Sequence, residues 1–286
     1  MGHTLRDQPV ATVPVVVVDL EMTGLDLARD RICEVAAVRA IGGEVQQSID
    51  TLVQPGVSMS EEASQVTGIT DADLVGAPTF ADIAPELFSL LDGAVLVCHN
   101  VETDLAFIQH EVDRLEQQLE PPVSVDTLWM ARRLFAFPRN ALYAVAEKLG
   151  VATDGASHRA LADAELTWHV LRRMLAILDP TGTMTVGELN DLIVALAPNS
   201  PLRLRQKRAL RTAHRDGKTV VIEYQDTRHP ERGTVEREIA IGHLRFPYVQ
   251  AWCFLRQGER VFRLDRMRSV TLTERDAPPL DMVCRL

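Results

Sequence analysis

Two acidic residues near the start of the chain, Asp19 and Glu21, have the types and the spacing to bind a metal ion. They follow the β-branched run at 15–18, which predicts a buried strand. Side chains at positions i and i+2 of a strand leave the same face, so the two carboxylates lie side by side where that strand ends. Anions held together at low dielectric raise a pKa or recruit a hard ion such as Mg²⁺ or Mn²⁺. The same pair is also common at a solvated strand end.

A second segment with candidate ligands, HNVETDLAFI at 99–108, follows a short apolar strand. His99 and Asn100 lie at the carboxyl end of that strand, where open α/β sheets form their sites. Asp104 falls in the first turn of the next helix, where an acidic residue also stabilises the positive end of the helix dipole. The segment therefore fits either a ligand or an ordinary helix start.

A third segment, HRALADAELT at 158–167, places His158 five residues before Asp163. A histidine in the loop and an aspartate on the following helix can face one cleft. Histidine exchanges a proton near neutral pH, which suits it to act as a general base. Taken by themselves, the histidine is a structural residue and the aspartate a surface residue.

The apolar pattern around these segments predicts an α/β fold with a mixed sheet. Three strands at 15–25, 31–40 and 44–53 follow one another, which predicts an antiparallel meander. Strands at 94–98 and 123–126 then alternate with helices. The predicted helices are 80–91, 101–119, 127–135, 140–149 and 159–178.

A change of composition near residue 200 divides the chain. Residues 1–200 contain 12 Lys or Arg and 29 Asp or Glu, and residues 201–286 contain 18 and 11, so their net charges are −17 and +7. A Pro-Asn-Ser-Pro linker at 198–201 precedes a basic helix and five short strands. We expect a first domain at 1–180, a helix and linker at 181–202, and a small β domain at 203–286. The basic domain either faces a polyanion or docks on the acidic one.

Composition excludes several classes of protein. Hydrophobic residues are 46% and charged residues 24% of the 286 residues, which predicts a packed core and excludes wholesale disorder. No apolar run near the start approaches the roughly 20 residues that span a bilayer, and the first residues do not resemble a secretory signal. The four scattered cysteines fit neither a zinc site nor a disulfide framework. We therefore expect a cytoplasmic protein with reduced thiols and no membrane partner.

The segments VVDLEMTGL, HNVETDLAF and HRALADAE, in this order and at this spacing, resemble the three motifs of the DEDDh branch of the DnaQ-like 3′→5′ exonucleases. The resemblance covers about residues 14–178 and implies an RNase H-like mixed sheet with flanking helices. It implies that His158 is the general base. It also implies two Mg²⁺ or Mn²⁺ ions held by four carboxylates, namely those of Asp19, Glu21, Asp104 and Asp163.

The same resemblance implies contacts with the terminal nucleotide of a single-stranded DNA or RNA 3′ end. Met22 and Leu25 would lie under the terminal base, and Thr23 would reach the 3′ end through its backbone. Ordinary turn and core roles are the alternative for these residues. Thr103 departs from the family, which commonly has Phe before the middle Asp. The full set of expected substrate-binding residues is Met22, Thr23, Leu25, His99 and Asn100.

Residues 203–275 resemble a WYL domain, a small Sm/SH3-like β-barrel module. The strongest match is RVFRLDRM at 260–267, whereas the name-giving triplet is degenerate and reads Pro-Tyr-Val at 247–249. The resemblance implies that aromatic and basic residues bind a nucleotide or single-stranded nucleic acid by stacking and by pairing with phosphate. A barrel core and a solvated rim are the alternative. The implied residues are Tyr224, Arg237, Tyr248, Arg263 and Arg266.

Two hypotheses for the whole protein follow. The first is a metal-dependent 3′→5′ exonuclease that releases mononucleotides from single-stranded 3′ ends, DNA favoured over RNA, with an accessory WYL-like domain. The second is a regulatory nucleic-acid-binding protein in which the WYL-like domain is the functional part. The complete acidic set favours the first. Any polymerase or repair partner would be a separate chain, because the sequence has no polymerase or helicase segment.

Overall fold

The computed structural model describes residues 4–120, 122–153, 158–225 and 233–280. The chain divides into two units, Met1–Leu128 with Arg139–Leu189, and Trp129–Pro138 with Asn190–Leu286. No helix among the described residues is long and apolar enough to cross a membrane. The thiols of Cys33, Cys98 and Cys253 are free and buried, and Cys284 lies outside the described residues.

A mixed five-stranded sheet forms the centre of the first unit. Its strands are β1 (Val15–Met22), β2 (Ile32–Ile41), β3 (Glu44–Leu52), β4 (Val95–Cys98) and β5 (Ser124–Asp126). Their order is β3-β2-β1-β4-β5, with antiparallel pairing from β1 to β3 and parallel pairing of β1, β4 and β5. β1 occupies the middle because its valines at 15–18 are buried on both faces. The predicted meander and mixed sheet are confirmed.

The helices up to residue 195 in the described part of the chain are α1 (Glu61–Thr67), α2 (Phe80–Leu91), α3 (Val101–Arg114), α4 (Thr127–Trp129), α5 (Leu142–Leu149), α6 (Ala160–Leu178) and α7 (Val186–Ala195), with a π-helical segment at Met130–Phe135. Of these, α2, α3 and α6 pack on the mixed sheet, and the π-helical segment belongs to the second unit. α2 begins at a Thr79–Asp82 capping box, and it buries Leu87 in one core cluster with Phe107 of α3 and Val16 of β1. α3 ends at Arg114, before the predicted end at 119, and α1 is an addition to the predicted helices.

The second unit contains a basic helix, α8 (Pro201–Asp216), and an antiparallel sheet. The strands are β6 (Lys218–Gln225), β7 (Thr234–Arg245), β8 (Tyr248–Cys253), β9 (Gly258–Arg263) and β10 (Met267–Asp276). Their order, β10-β6-β7-β8-β9, leaves β9 and β10 at opposite edges, and no pairing joins those two edges in the described residues. The predicted helix and five strands are confirmed. The predicted barrel is not shown, because the described strands form an open sheet.

A buried arginine, Arg203, connects α8 to the turn between β9 and β10. It is 1% exposed. Its Nη1 donates to the carbonyls of Leu264 at 2.7 Å and Met267 at 2.5 Å, and its Nη2 donates to the Asp265 carbonyl at 2.8 Å. Burial lowers the pKa of Arg203 to about 10, so the side chain stays charged at neutral pH. A charged donor strengthens each of these bonds.

Arg203→Met should therefore destabilise the second unit, because the carbonyls of Leu264 and Asp265 lose their donor, whereas the Met267 carbonyl keeps the Gln206 amide. A buried polar group without a partner costs about 1–3 kcal/mol, so we expect the free energy of unfolding to fall by at least ~2 kcal/mol. Urea unfolding followed by circular dichroism measures this change. The control is Arg256→Met at an exposed position of the same unit. Equal urea midpoints for the two variants would contradict the anchoring role of Arg203.

Candidate active site

Asp19 and Glu21 lie at the carboxyl end of β1, in the middle of the mixed sheet. The antiparallel register with β2 puts Glu21 directly opposite Glu34. A β-bulge after Glu21 ends the regular pairing, and a turn follows. Both carboxylates are half-buried and share one face of the strand. The buried valine run of β1 therefore delivers two acids to one edge of the sheet.

Asp104 reaches the same edge from the neighbouring strand. β4 runs parallel to β1, so the two strands end on the same side of the sheet. The chain then turns through Asn100, whose φ of 119° lies in the left-handed region, and α3 begins. Asp104 occupies the first turn of α3 and is 8% exposed. Its carboxylate receives a hydrogen bond from the Leu20 backbone, which ties it to β1.

His158 and Asp163 complete the cluster from the start of α6. His158 is exposed, and its φ of 62° is uncommon for a residue with a side chain. The His158 N–H donates to Asp163 Oδ2 at 3.2 Å, and the Tyr143 hydroxyl donates to Asp163 Oδ1 at 2.7 Å. One ligand atom from each of Glu21, His158 and Asp163 lies within 4.8 Å of the other two. Glu21 therefore lies close to His158 and Asp163 although it is far from them in sequence.

Negative charge accumulates in this cluster. Burial raises the pKa of Asp19 well above its ordinary value, and the charges of Asp104 and Asp163 raise it further. Burial also raises the pKa of Glu21 to about 7, with added repulsion from Asp163 and Glu34. The pKa of Asp104 is raised by burial to about 7 as well. The folded chain holds these carboxylates closer together than their charges favour.

The donor set fits divalent metal ions. Carboxylate oxygens are the preferred protein ligands of Mg²⁺ and Mn²⁺, and imidazole nitrogen is a common ligand of transition metals. A cation near the carboxylates would stabilise their charged form and lower the raised pKa values. The residues present, Asp19, Glu21, Asp104 and Asp163 with His158 beside them, therefore suit a divalent metal site.

An ion pair between an exposed arginine and a buried glutamate supports the segment that carries His158. Arg159 donates from Nε and Nη2 to Glu34 Oε1 at 3.0 and 2.7 Å, and the Ala160 N–H donates to Glu34 Oε2 at 3.0 Å. Glu34 is 1% exposed, so this carboxylate is fully used inside the protein. The pair fixes the start of α6 to β2. The sequence analysis missed this role, because a strand glutamate 125 positions before its arginine gives no local signal.

The turn after β1 is built around Asp30. Its Oδ1 accepts from Thr23 Oγ1 at 3.0 Å, and its Oδ2 accepts from the Asp26 N–H at 2.8 Å. A Cβ at Gly24 would lie 2.4 Å from this carboxylate, so any other residue there would force Asp30 to shift and disturb its bonds. Thr23 is buried, its N–H donates to Arg31 and its carbonyl accepts from Ser60. The backbone contact of Thr23 with a 3′ end stays a prediction, and it would compete with these bonds.

A pocket of about 460 Å³ lies beside Glu21. Met22 and Leu25, the two predicted contacts to a base, both line it, and Leu25 is 79% exposed. Helix α1 contributes Ala63 and Val66 to the opposite wall. The sequence analysis missed α1 because its seven residues include few apolar positions. The pocket offers apolar surface next to a charged cluster.

His99 and Asn100 have partners inside the fold. His99 Nδ1 lies 2.9 Å from Thr127 Oγ1, and Nε2 lies 2.8 Å from the Asn140 carbonyl oxygen. Asn100 Nδ2 donates to Thr103 Oγ1 at 2.8 Å. The phenylalanine that resembling sequences commonly have in place of Thr103 could not accept this bond. The geometry supports a role of both residues in shaping the turn before α3. A contact with substrate stays a prediction.

The five residues predicted to bind a ligand in the second unit fall into different settings. Tyr248 is 43% exposed and lies opposite Arg263 in the sheet, and the Tyr224 hydroxyl accepts a bond from the Arg263 N–H at 3.1 Å. Arg263 pairs with Asp265. Arg266 donates to the Ala136 carbonyl, and the buried Nε of Arg237 has no hydrogen-bond partner in the described residues. The structure thus groups Tyr224, Tyr248 and Arg263.

Comparisons with known proteins agree with this arrangement. Residues 16–171 match the Exonuclease family (RNase_T), and residues 206–272 match the WYL domain. DNA polymerase III subunit epsilon of Aquifex aeolicus is 37% identical over 161 residues, which are 56% of this chain and 79% of the relative. DNA polymerase III PolC-type of Thermotoga maritima is 33% identical over 178 residues, which are 62% of this chain but only 13% of that relative.

Solved structures show the same fold. Exonuclease X in complex with 5′-overhanging duplex DNA aligns at a TM-score of 0.50 and 25% identity, covering 63% of this chain and 99% of that chain. The Exonuclease match spans more than half of the present chain. The chain therefore belongs to the exonuclease family, in the class of 3′→5′ exonuclease hydrolases. More narrowly, it combines a DnaQ-like exonuclease domain with a WYL domain.

Stability should depend on pH through the acidic cluster. The folded metal-free protein has pKa values of about 7 at Glu21 and Asp104, whereas such groups titrate near about 4 in an unfolded chain. The folded state then binds more protons between these values, so its stability falls as pH rises through this window. Mn²⁺ displaces these protons, and the rise in Tm that it causes should be larger at about pH 8 than at about pH 5.

Thermal unfolding in EDTA and in saturating Mn²⁺ across this range measures both effects. Glu21→Gln removes one of the titrating predicted ligands. It should reduce the pH dependence of the stability in EDTA and that of the rise in Tm caused by Mn²⁺. A rise in Tm on adding Mn²⁺ that is equal at about pH 5 and about pH 8 would contradict the prediction.

Glu34→Gln should lower activity without removing a predicted metal ligand. The substitution keeps the shape of the side chain but discharges the acceptor that holds Arg159, so the segment carrying His158 loses its anchor. Residues that hold the ligands of a metal site in place without binding the metal typically contribute about 10–100-fold to metal affinity or activity. We expect a loss of metal-dependent nuclease activity of this size. Glu44→Gln, at an exposed position, is the matched control. Full activity of Glu34→Gln would show that the anchor is not needed.

Proposed function

We propose that this protein is a metal-dependent 3′→5′ exonuclease that releases mononucleotides from single-stranded 3′ ends, with DNA favoured over RNA. The observation that carries the proposal is the meeting of four carboxylates and an exposed histidine at one edge of the sheet. The preference for DNA is supported by relatives whose names refer to DNA polymerase III and to a complex with duplex DNA. Those assignments belong to the relatives and are proposals for this chain.

Four carboxylates would hold two Mg²⁺ or Mn²⁺ ions, namely those of Asp19, Glu21, Asp104 and Asp163. When bound, such ions polarise the scissile phosphate, favour ionisation of the attacking water and stabilise the leaving oxygen. The Tyr143 hydroxyl orients Asp163 for this task. The Leu20 backbone does the same for Asp104.

His158 acts as the general base. Its side chain is exposed, and its backbone is held by the bond to Asp163 and by the neighbouring Arg159–Glu34 pair. The water oxygen joins the terminal phosphorus while the bond from phosphorus to the 3′ oxygen of the shortened strand breaks. His158 takes the proton of the water and passes it to solvent, a contribution of about 10²–10⁴ in rate, and the leaving 3′ oxygen takes up a proton from solvent to become the new 3′-hydroxyl.

The pocket beside Glu21 receives the terminal nucleotide. Met22, Leu25 and Val66 offer apolar surface for a base. Every base has an apolar face, so stacking here tolerates any sequence. The acidic cluster and this pocket together select the end of a strand rather than an internal phosphate.

The WYL domain provides an accessory binding site for a nucleotide or a single strand. Its grouped residues Tyr224, Tyr248 and Arg263 combine an exposed aromatic ring with a cation, which suits a base and a phosphate. A closed Sm/SH3-like barrel and the domain bounds at 180 and 203 remain part of this proposal. A polymerase or repair protein, as a separate chain, is the proposed macromolecular partner, because a relative is named as a polymerase subunit.

The test measures release of the last nucleotide from 3′-labelled DNA and RNA of equal sequence. We expect release with Mg²⁺ or Mn²⁺ and none in EDTA, faster on DNA. Asp19→Ala should reduce the rate by at least about 10³-fold, since loss of metal stabilisation costs several kcal/mol. His158→Ala should reduce it by about 10²–10⁴-fold. Asp92→Ala, at an exposed position, is the matched control.

Cleavage that is insensitive to Asp19→Ala would contradict the assigned site. Absence of cleavage on either polymer with either metal would instead favour the regulatory hypothesis, in which the WYL domain is the functional part.

A further inference from the structure

Helix α8 presents two unlike faces. Arg203, Gln206, Leu210 and Ala213 are buried against the rest of the second unit. The opposite side is exposed and basic, with positions three or four apart, which places them in one line along the helix. We call this line the α8 arginine stripe, and its members are Arg205, Arg208, Arg211 and Arg215.

The stripe is largely free of neutralising partners. Arg205 and Arg208 have no hydrogen bond or ion pair with any side chain among the described residues. Arg211 lies 5.3 Å from the Phe246 ring centroid, a contact that leaves its charge unneutralised. Within the part of the chain that the structure describes, Arg215 is the one stripe residue that pairs with a carboxylate, that of its neighbour Asp216. An exposed row of cations at this density repels itself and gains from an anionic partner.

The dimensions and chemistry of the stripe fit a chain of phosphates. From Arg205 to Arg215 the helix rises about 15 Å, whereas successive phosphates of a stacked strand advance by about 3.4 Å. Guanidinium groups match phosphate geometry with paired donors. A protein partner would normally meet aromatic or apolar anchors, and among its described residues this face offers just Pro201 and Leu204. The stripe contains no aromatic ring on which a base could stack.

We infer that the α8 arginine stripe binds the sugar-phosphate backbone of single-stranded nucleic acid. This inference rests on the proposed nuclease function and adds to it a surface for the strand behind the 3′ end. The site lies on the helix, whereas the predicted WYL ligand residues lie on the sheet and its connecting turn. The binding is independent of sequence and falls with salt. Residues 1–200 have a net charge of −17 and few cations, and the stripe supplies cations for the strand instead.

The test uses the full chain and a 5′-fluorescein dT₃₀ in EDTA, so that nothing is cleaved. Arg205→Gln/Arg208→Gln is compared with Arg256→Gln/Arg260→Gln, two exposed arginines of the same unit. Fluorescence anisotropy is measured over a series of salt concentrations. Each phosphate contact contributes about 0.7 to the salt slope of a single strand, so the stripe variant should lose about 1.4 from that slope. We expect its Kd to rise about tenfold at moderate salt and the control pair to match the wild type.

Three results would overturn the inference. One is an unchanged slope in the stripe variant, and another is an equal loss in the control pair. The third is a stripe variant that loses affinity for poly-glutamate but keeps its affinity for dT₃₀. That result would assign the surface to an acidic protein. Hydrolysis of the p-nitrophenyl ester of thymidine 5′-monophosphate by the wild type with Mn²⁺ reports the active site alone. If that ester is not cleaved, the proposed function fails, while the anisotropy series still decides whether the stripe binds a strand.

Discussion

Repulsion among buried carboxylates is the constraint on which this site depends. Asp19, Glu21, Asp104 and Asp163 come from three segments, and Glu34 adds a fifth charge directly across from Glu21. Burial removes the water that would screen them, so their pKa values rise instead. This repulsion lowers the stability of the metal-free protein. Binding of a cation would offset that loss, because it would neutralise part of the negative charge. The unfavourable charge is thus the feature that links structure to metal chemistry.

The fold holds these charges together with rigid, apolar elements. The valines of β1 are buried on both faces, and α2 and α3 pack in the same core cluster. On the side of α3, Arg31 donates from Nε and Nη2 to the buried carboxylate of Glu111, both at 2.5 Å. Burying one ion pair is costly on its own, but breaking it would leave an unpaired charge in the core. Such pairs fix the elements that carry the ligands, so relaxation cannot simply separate the acids.

Local patterns in the sequence predicted the parts of the site that lie close together in the chain. The i, i+2 spacing of Asp19 and Glu21 on a strand is enough to place both on one face. The meeting of β1 with α3 and α6 followed from the family resemblance rather than from periodicity. The support from Glu34 and Tyr143 escaped prediction, because the partner of Glu34 is 125 positions away and the bond of Tyr143 to Asp163 depends on how α5 packs on α6. Closure of the second sheet is likewise a long-range property, and the described strands leave it open.

The division of charge along the chain has a physical reason. A site that must gather carboxylates for metal ions cannot also surround itself with the lysines and arginines that attract a polyanion, because those cations would lower the pKa values and compete with the metal. Screening would confine the effect of metal ions held by these carboxylates to about 8 Å at physiological salt, so such ions would attract a nearby phosphate but not the strand behind it. Attraction for the strand must then come from other residues. The basic residues of α8 belong to the second unit of the chain, whereas the acidic cluster belongs to the first.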